Sequence, residues 1–401
     1  MSAIRAVAAA GLLAIFSIPG FSQGPPAQNS SRNLGPDACG PADPVYIHSA
    51  NETGGIPMFL QRSEAAKSFQ LVRESTRSNV STVFWGSGAL GGKTETIDIP
   101  VDSVTQRITF VFSTDTKGSK LIVKQPSGGA IENSTASTEI TDLNCGRILT
   151  VSTPEAGNWR AEISGTGRYW LEAKAQSDIH IIKAEFVKVG GRPGHQGLFR
   201  IPGQPVMGKL ATLQVSLSAK ETRTTEFELV NERGESFQGL KLHATNTDRE
   251  FLDFTGEVEL PAVPFRIAVK GRDTQGHAYQ RLLPSLFHAE SAEITPTLDF
   301  DELPAGETRR ATFTLRNIGA ARTFKLTVTD ARHFVTAVEP MELNLGADES
   351  GKVSVDLSVP AGTAAGSGDD LVIVAASTAG PATSNSSVVH LSVASEKASN
   401  N

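Results

Sequence analysis

Residues 94–129 read TETIDIPVDSVTQRITFVFSTDTKGSKLIVKQPSGG, and the apolar positions in this run fall on every second residue. Ile97, Ile99 and Val101 form one alternating set, Ile108, Phe110 and Phe112 a second, Leu121 and Val123 a third. A period of two places successive side chains on opposite faces of a strand, so each run has one face to bury. Asp102-Ser103, Thr116-Lys117-Gly118-Ser119 and Pro126-Ser127-Gly128-Gly129 separate the runs with residues that favour turns. The stretch is a β-meander.

The pattern continues in both directions. Val80 to Trp85 reads as a strand before it. Ile148, Leu149 and Val151, then Trp159, Ala161 and Ile163, then Tyr169, Leu171 and Ala173 follow it. Short strands at this spacing, with turns between and no convincing amphipathic helix, predict an antiparallel β-sandwich over residues 76–186. A Gly- and Pro-rich stretch from Lys188 to Gly208 places a boundary near Ala184 to Gly190. Two further alternating blocks, residues 190–288 and 292–394, each fit an immunoglobulin-like sandwich. The fold class is therefore all-β, with a short α/β piece over residues 41–75: an element at Tyr46–Ala50, a strand at Met58–Leu60 and a helix from Ser63 to about Arg73.

The ends read differently. Arg5, the apolar run Ala6 to Ile18 and the small residues Gly20 and Ser22 predict a signal peptide over residues 1–22. The run of about 13 residues is short of the roughly 20 needed to cross a bilayer, so export without membrane insertion is expected. Residues 23–40 form a flexible leader and 395–401 a polar tail. Hydrophobic residues make up 39% and charged residues 20% of 401, an ordinary globular balance, and a net charge of −6 with no basic stripe argues against a nucleic-acid partner. Cys39 and Cys145 are the two cysteines. In an exported chain they most simply form one disulfide, the alternative being two buried thiols.

Several short motifs in order resemble one family. SANETGGIPMFL (49–60) resembles the last strand and helix of a von Willebrand factor A domain. IDIPVDSVTQRITFVFS (97–113), LIVKQPSG (121–128) and TPEAGNWRAEISG (153–165) resemble the sandwich that follows that domain in the hemicentins and in von Willebrand factor A domain-containing protein 7. VPFRIAVKGRDTQGHAYQR (263–281) resembles the strand pair closing the next immunoglobulin-like module. The resemblance implies that the first sandwich is galactose-binding-like, that residues 41–75 are the C-terminal remnant of an A domain, and that the chain has an extracellular adhesion or matrix role. The Asp-x-Ser-x-Ser metal loop of a full A domain is absent, so metal-dependent capture is not carried over.

Residues that bear chemistry are sparse. The eight histidines have no zinc spacing, Gly86-Ser87-Gly88 lacks the full nucleophile-elbow pattern, and no phosphate-binding glycine loop is present. Ser87 reads as a turn residue, and no catalytic residue or cofactor is assigned. Asp98, Asp102, Asp115 and Asp142 leave room for a structural calcium. Trp159 alternates with core positions, whereas Trp85 and Trp170 flank loops, where a ring could close the end of a sandwich or stack on a sugar. Sequons begin at Asn29, Asn51, Asn79, Asn133 and Asn385. The expected function is a secreted, non-catalytic adhesion or matrix-type protein that binds an extracellular protein or glycan. The alternative is a carbohydrate-binding accessory protein working through loops of the first sandwich.

Overall fold

The three alternating runs of residues 94–129 form strands, as their period of two predicts, but they do not make a meander: residues 95–101 and 120–124 both pair with residues 157–164 in one sheet, while residues 105–114 lie in the facing sheet between residues 146–152 and 166–177. Alternation fixes which face a strand buries and leaves its partner open, and eight strands make up the first sandwich. The computed structural model describes residues 39–40, 43–190, 196–218, 222–246 and 251–394. The signal peptide, most of the leader and the polar tail lie outside the described residues. The strands are β1 (Val80–Gly91), β2 (Glu95–Val101), β3 (Thr105–Thr114), β4 (Lys120–Lys124), β5 (Thr138–Leu143), β6 (Gly146–Ser152), β7 (Gly157–Ser164) and β8 (Thr166–Ser177). One sheet runs β1-β8-β3-β6-β5 and the facing sheet β2-β7-β4. Ile108, Phe110 and Phe112 meet Leu121, Val123 and Trp159 between the sheets. Each fully buried side chain of this kind is worth roughly 1.5–3 kcal/mol against exposure.

The second sandwich comprises β9 (Ile181–Gly190), β10 (Gly197–Arg200), β11 (Leu210–Ser218), β12 (Thr222–Val230), β13 (Ser236–Leu240), β14 (His243–Asn246), β15 (Phe251–Glu259), β16 (Arg266–Asp273) and β17 (Ala278–Leu282). Its sheets are β10-β9-β11-β15-β14 and β13-β12-β16-β17. The boundary expected at 184–190 falls inside β9, whose residues 181–187 pair with β11. Phe186 is buried in the second core, so the chain changes sandwich between Ser177 and Ile181. Gly190 lies at the end of β9, where the chain turns back to β10 within one sheet. Glycine and proline punctuate hairpins as strongly as they punctuate linkers.

The first two sandwiches share a sheet. β17 pairs with β1 through Thr82 and Leu282, which makes a nine-stranded sheet of order β13-β12-β16-β17-β1-β8-β3-β6-β5. Loop 231–235 also docks on β1, with the Ser87 amide donating to the Glu232 carbonyl at 2.8 Å. A Cβ on Gly86 would sit 2.6 Å from the Arg233 carbonyl oxygen, so only glycine admits this approach. Ser87 accordingly lies within β1, paired with Trp170, and not in a turn.

The third sandwich has β18 (Ala292–Thr297), β19 (Thr308–Asn317), β20 (Arg322–Thr329), β21 (Val335–Glu339), β22 (Glu342–Leu345), β23 (Ser350–Ser358), β24 (Gly368–Ala379) and β25 (Ser384–Ser392). Sheets β18-β19-β23-β21 and β22-β20-β24-β25 enclose Phe313, Phe324, Val353, Val355 and Leu371. Its junction with the second sandwich is polar. Asn385 donates to the Gln204 and Ala292 carbonyls, and Glu290 accepts from Thr383 Oγ1 at 2.6 Å.

Residues 43–75 form a third layer over the nine-stranded sheet, and within them no strand appears at Met58–Leu60. Helix α1 (Pro44–Thr53) begins with the Asp43 carboxylate accepting from the Val45 amide, with Pro44 in its first turn. It ends at Gly54, φ 76°, where a Cβ would lie 2.3 Å from Pro284. A 3₁₀ segment (Arg62–Ser68) then leads into helix α2 (Phe69–Ser75). This layer explains why β3 is buried on both faces: Thr109, Val111 and Ser113 point away from the sandwich core yet are covered, Ser113 Oγ donating to the Pro57 carbonyl at 2.6 Å. Cys39 and Cys145 are bonded, S–S 2.10 Å, and the Cys39 amide donates to the Asp115 carbonyl, fastening the start of this layer to the first sandwich.

Candidate functional site

The two tryptophans that the sequence offers as ligand platforms are fully buried, so neither presents a face to solvent. β1 and β8 are central strands of the shared sheet, and the layer of residues 43–75 covers their outer face. Trp85 Nε1 donates to the Gly55 carbonyl at 3.2 Å, and the Arg266 guanidinium lies 3.7 Å from the Trp85 ring centroid. Trp170 Nε1 donates to Asn51 Oδ1 at 3.0 Å, and Phe59 packs beside the ring. Arg266 also donates to the Asn51 and Pro284 carbonyls, and burial lowers its pKa to about 10. These rings hold the N-terminal layer in place.

The four aspartates considered for calcium do not converge. Asp98 pairs with Arg160, Asp142 with Arg147 and Asp102 with Arg281, while Asp115 accepts from the Arg168 amide. Among the described residues no group of three or more His, Cys, Asp or Glu side chains is placed to hold a metal.

An open groove forms instead between α2 and the sheet edge made by β5 and β6. Helix α2 is held on the sheet by polar residues: Gln70 and Glu74, one turn apart, are its buried positions, while Phe69 and Val72 are 70% and 56% exposed. The preceding 3₁₀ segment is tied down by Glu64, which accepts from the Gln61 amide at 3.1 Å and from the Asn144 amide at 2.9 Å. Lys67 Nζ donates to the Asp142 carbonyl at 2.8 Å.

The groove consists of two hollows that meet at the Arg73–Glu139 ion pair. One, about 510 Å³, is lined by Arg73, Arg77, Arg107 and the Ser134–Glu139 segment; the other, about 480 Å³, by Phe69, Gln70, Val72 and Thr141. Arg73 Nη2 meets Glu139 Oε2 at 2.5 Å, with both side chains about half exposed. A pair so exposed contributes about 0–1 kcal/mol and exchanges partners readily. Beneath it, Glu74 is nearly buried and accepts from Arg73 Nε at 2.9 Å and Arg77 Nε at 2.8 Å, with Arg107 Nε at 3.5 Å. Burial works to raise the Glu74 pKa, but the hydrogen bonds from Arg77 and Arg73 and the Arg107 charge outweigh it. The carboxyl is held below the usual carboxylate range. Three guanidinium groups thus face two carboxylates, and the hollow carries a positive excess.

Gln70, 6% exposed, donates from Nε2 to Thr150 Oγ1 at 3.2 Å, and its Oε1 has no partner among the described residues. A buried amide oxygen without a donor is costly, and this one is closed off from the solvent in the groove. None of these groove residues stands out in the sequence. The Phe69/Arg73/Arg77 spacing of four was the available signal, and α2 inverts the usual pattern by burying polar residues.

Residues 87–178 match the model of the hemicentin galactose-binding domain-like family, and residues 297–395 that of the VWA7 Ig-like domain. The matched segments are the first sandwich from Ser87 onward and the third. No curated protein matches the chain. Similar solved structures include a Bacillus licheniformis lipase, BlEst2, in propeptide form, with 10% identity and TM-score 0.25 over 50% of this chain and 40% of that one. A tetra-tandem repeat from the extending region of a large adhesion protein has 13% identity and TM-score 0.18 over 77% of this chain and 74% of that one. The mouse nectin-like molecule 4 ectodomain has 10% identity and TM-score 0.16 over 77% of this chain and 97% of that one. The chain thus spans 40% of the length of the lipase structure. Both matched domain models are binding or Ig-like types and not enzyme families, and no described helix is long and apolar enough to cross a membrane. The two models are those of the hemicentin and von Willebrand factor A domain-containing protein 7 family that the sequence resembles.

Proposed function

We propose that this chain is a non-catalytic extracellular adhesion or matrix-type module, released after removal of residues 1–22, that presents the α2–β5 groove to its partner. The observation that carries this reading is the use the molecule makes of its buried charge. Arg281, Asp102 and Arg266 lock the first two sandwiches and the N-terminal layer into one body, while the groove collects polar groups that remain open to solvent. Groups with displaced protonation equilibria serve the same scaffold. Burial and the Glu95 hydrogen bond push the Tyr169 phenol up, and Asp273, whose burial would raise it, is held low by hydrogen bonds from Ser103, His277 and Gln275. These groups are each engaged by a structural partner and do not form a nucleophile with its base.

The alternative of a carbohydrate-binding protein acting through the first sandwich draws support from the same groove, at a sheet edge and not on Trp85 or Trp170. The test is adhesion of beads coated with the secreted chain to a panel of matrix proteins and immobilised glycans, with and without EDTA. Saturable adhesion that survives EDTA supports the reading. Adhesion to none of the surfaces, or adhesion abolished by EDTA with an unchanged unfolding curve, overturns it.

A further inference from the structure

We propose that the α2–β5 groove is a site for an acidic saccharide whose carboxylate or sulfate sits on Arg77 and Arg107. This rests on the reading of the chain as a binding module and names the ligand class for its groove. Arg107 comes no closer to Glu74 than 3.5 Å, through Nε, and its guanidinium makes no hydrogen bond among the described residues. Arg77 engages Glu74 through Nε and Nη2, which leaves Nη1 open to the same hollow. Two guanidinium groups with unfilled donors on one wall are suited to an oxyanion, which accepts paired N–H donors with a fixed geometry. Glu74 holds both arginines in place from beneath, so the anion meets donors that are already oriented.

The rest of the groove selects a sugar over another anion. Ser137 and Ser152 line the arginine hollow and offer hydroxyls to a polyhydroxylated ligand. Thr141 offers a further hydroxyl in the neighbouring hollow. Phe69 stands exposed beside it and presents an aromatic face to the C–H face of a pyranose ring. Arg73 and Glu139 part at small cost, because their pair is half exposed, and a ligand spanning both hollows takes the place of Glu139 on Arg73. Together the two hollows are large enough for a short oligosaccharide.

The experiment is calorimetric titration of the full secreted chain with four probes: a hyaluronan tetrasaccharide, a chondroitin sulfate tetrasaccharide, a neutral N-acetylglucosamine tetramer and a hexaglutamate peptide. At least one acidic saccharide is expected to bind at least tenfold more tightly than the neutral one and the peptide, and to weaken as salt rises. The first two probes separate a carboxylate from a sulfate as the anion recognised. Arg107→Gln is expected to lower that affinity roughly tenfold, the worth of a charge-assisted hydrogen bond. Phe69→Ala, at a position too exposed to affect folding, is expected to lower it several-fold. Equal binding of neutral and acidic probes, preference for the peptide, no binding of any saccharide, or unchanged affinity in both variants overturns the inference. Beads that still adhere in those cases leave the adhesion reading intact.

Discussion

Arg281 Nη2 and Asp102 Oδ2 meet at 2.6 Å with neither side chain exposed to solvent, so the first two sandwiches share a buried ion pair. Arg281 also donates to Ser177 Oγ at 2.7 Å and to the Ile179 carbonyl, where the chain passes from one sandwich to the next. A buried pair of this kind is costly to break from one side, because the partner left behind is an uncompensated charge. Arg281→Met and Asp102→Leu are each expected to destabilise by about 3–5 kcal/mol, and the double variant by less than the sum. Urea unfolding of the four proteins measures this. Singles within about 0.5 kcal/mol of wild type would show that the pair does not join the sandwiches.

Acid should loosen α2 first. The folded-state pKa of Glu74 lies below its ordinary 4.5, so its stabilisation is complete above that value and is lost as falling pH protonates it. Glu172 behaves oppositely. Burial raises its pKa despite Lys174 and Thr82, so its contribution falls as pH rises from 4.5 and the group is forced to ionise in the folded state. Glu74→Gln is expected to lower the melting temperature near neutral pH and to flatten its acid limb. Glu172→Gln is expected to raise it at pH 8 and to change little at pH 4. Melting curves from pH 3 to 9 check both signs, and parallel curves for all three proteins would refute them.

The Cys39–Cys145 bond closes a loop of 106 residues. On the chain-entropy model a loop of that size contributes about 4–5 kcal/mol. Intact mass after alkylation without reductant should show no modified thiol in exported protein. The Cys39→Ser, Cys145→Ser variant should unfold at lower urea, with amides of residues 43–60 exchanging fastest. Two alkylated thiols in natively exported protein would rule the bond out.

Among the described sequons, exposure separates two pairs. Asn79 and Asn133 are exposed, whereas Asn51 accepts from Trp170 Nε1 and Asn385 is buried against Gln204 and Ala292. Expressed in a glycosylating host, the folded secreted protein should carry glycans at Asn79 and Asn133 and none at Asn51 or Asn385. Peptide mapping by mass spectrometry settles each position, and a glycan on Asn51 or Asn385 would contradict the packing described.

The sequence by itself determined the strands, because period-two alternation such as Ile108, Phe110, Phe112 is a local consequence of burying one face. It also determined the sandwich type, through several short motifs in order, and it supplied the two cysteines. What lay beyond it was whatever depends on a distant segment covering a surface. Trp85 and Trp170 have the same local pattern whether their outer face meets water or Gly55 and Asn51, and only the tertiary structure brings residues 43–75 over β1 and β8. The junction at Thr82 and Leu282 is likewise a pairing across 200 positions, invisible to any window of sequence. The groove was hidden for a related reason. Helix α2 buries Gln70 against the Thr150 hydroxyl and Glu74 among Arg73, Arg77 and the strand residue Arg107 while Phe69 and Val72 stand exposed, so the hydrophobic periodicity that marks most helices points the wrong way here.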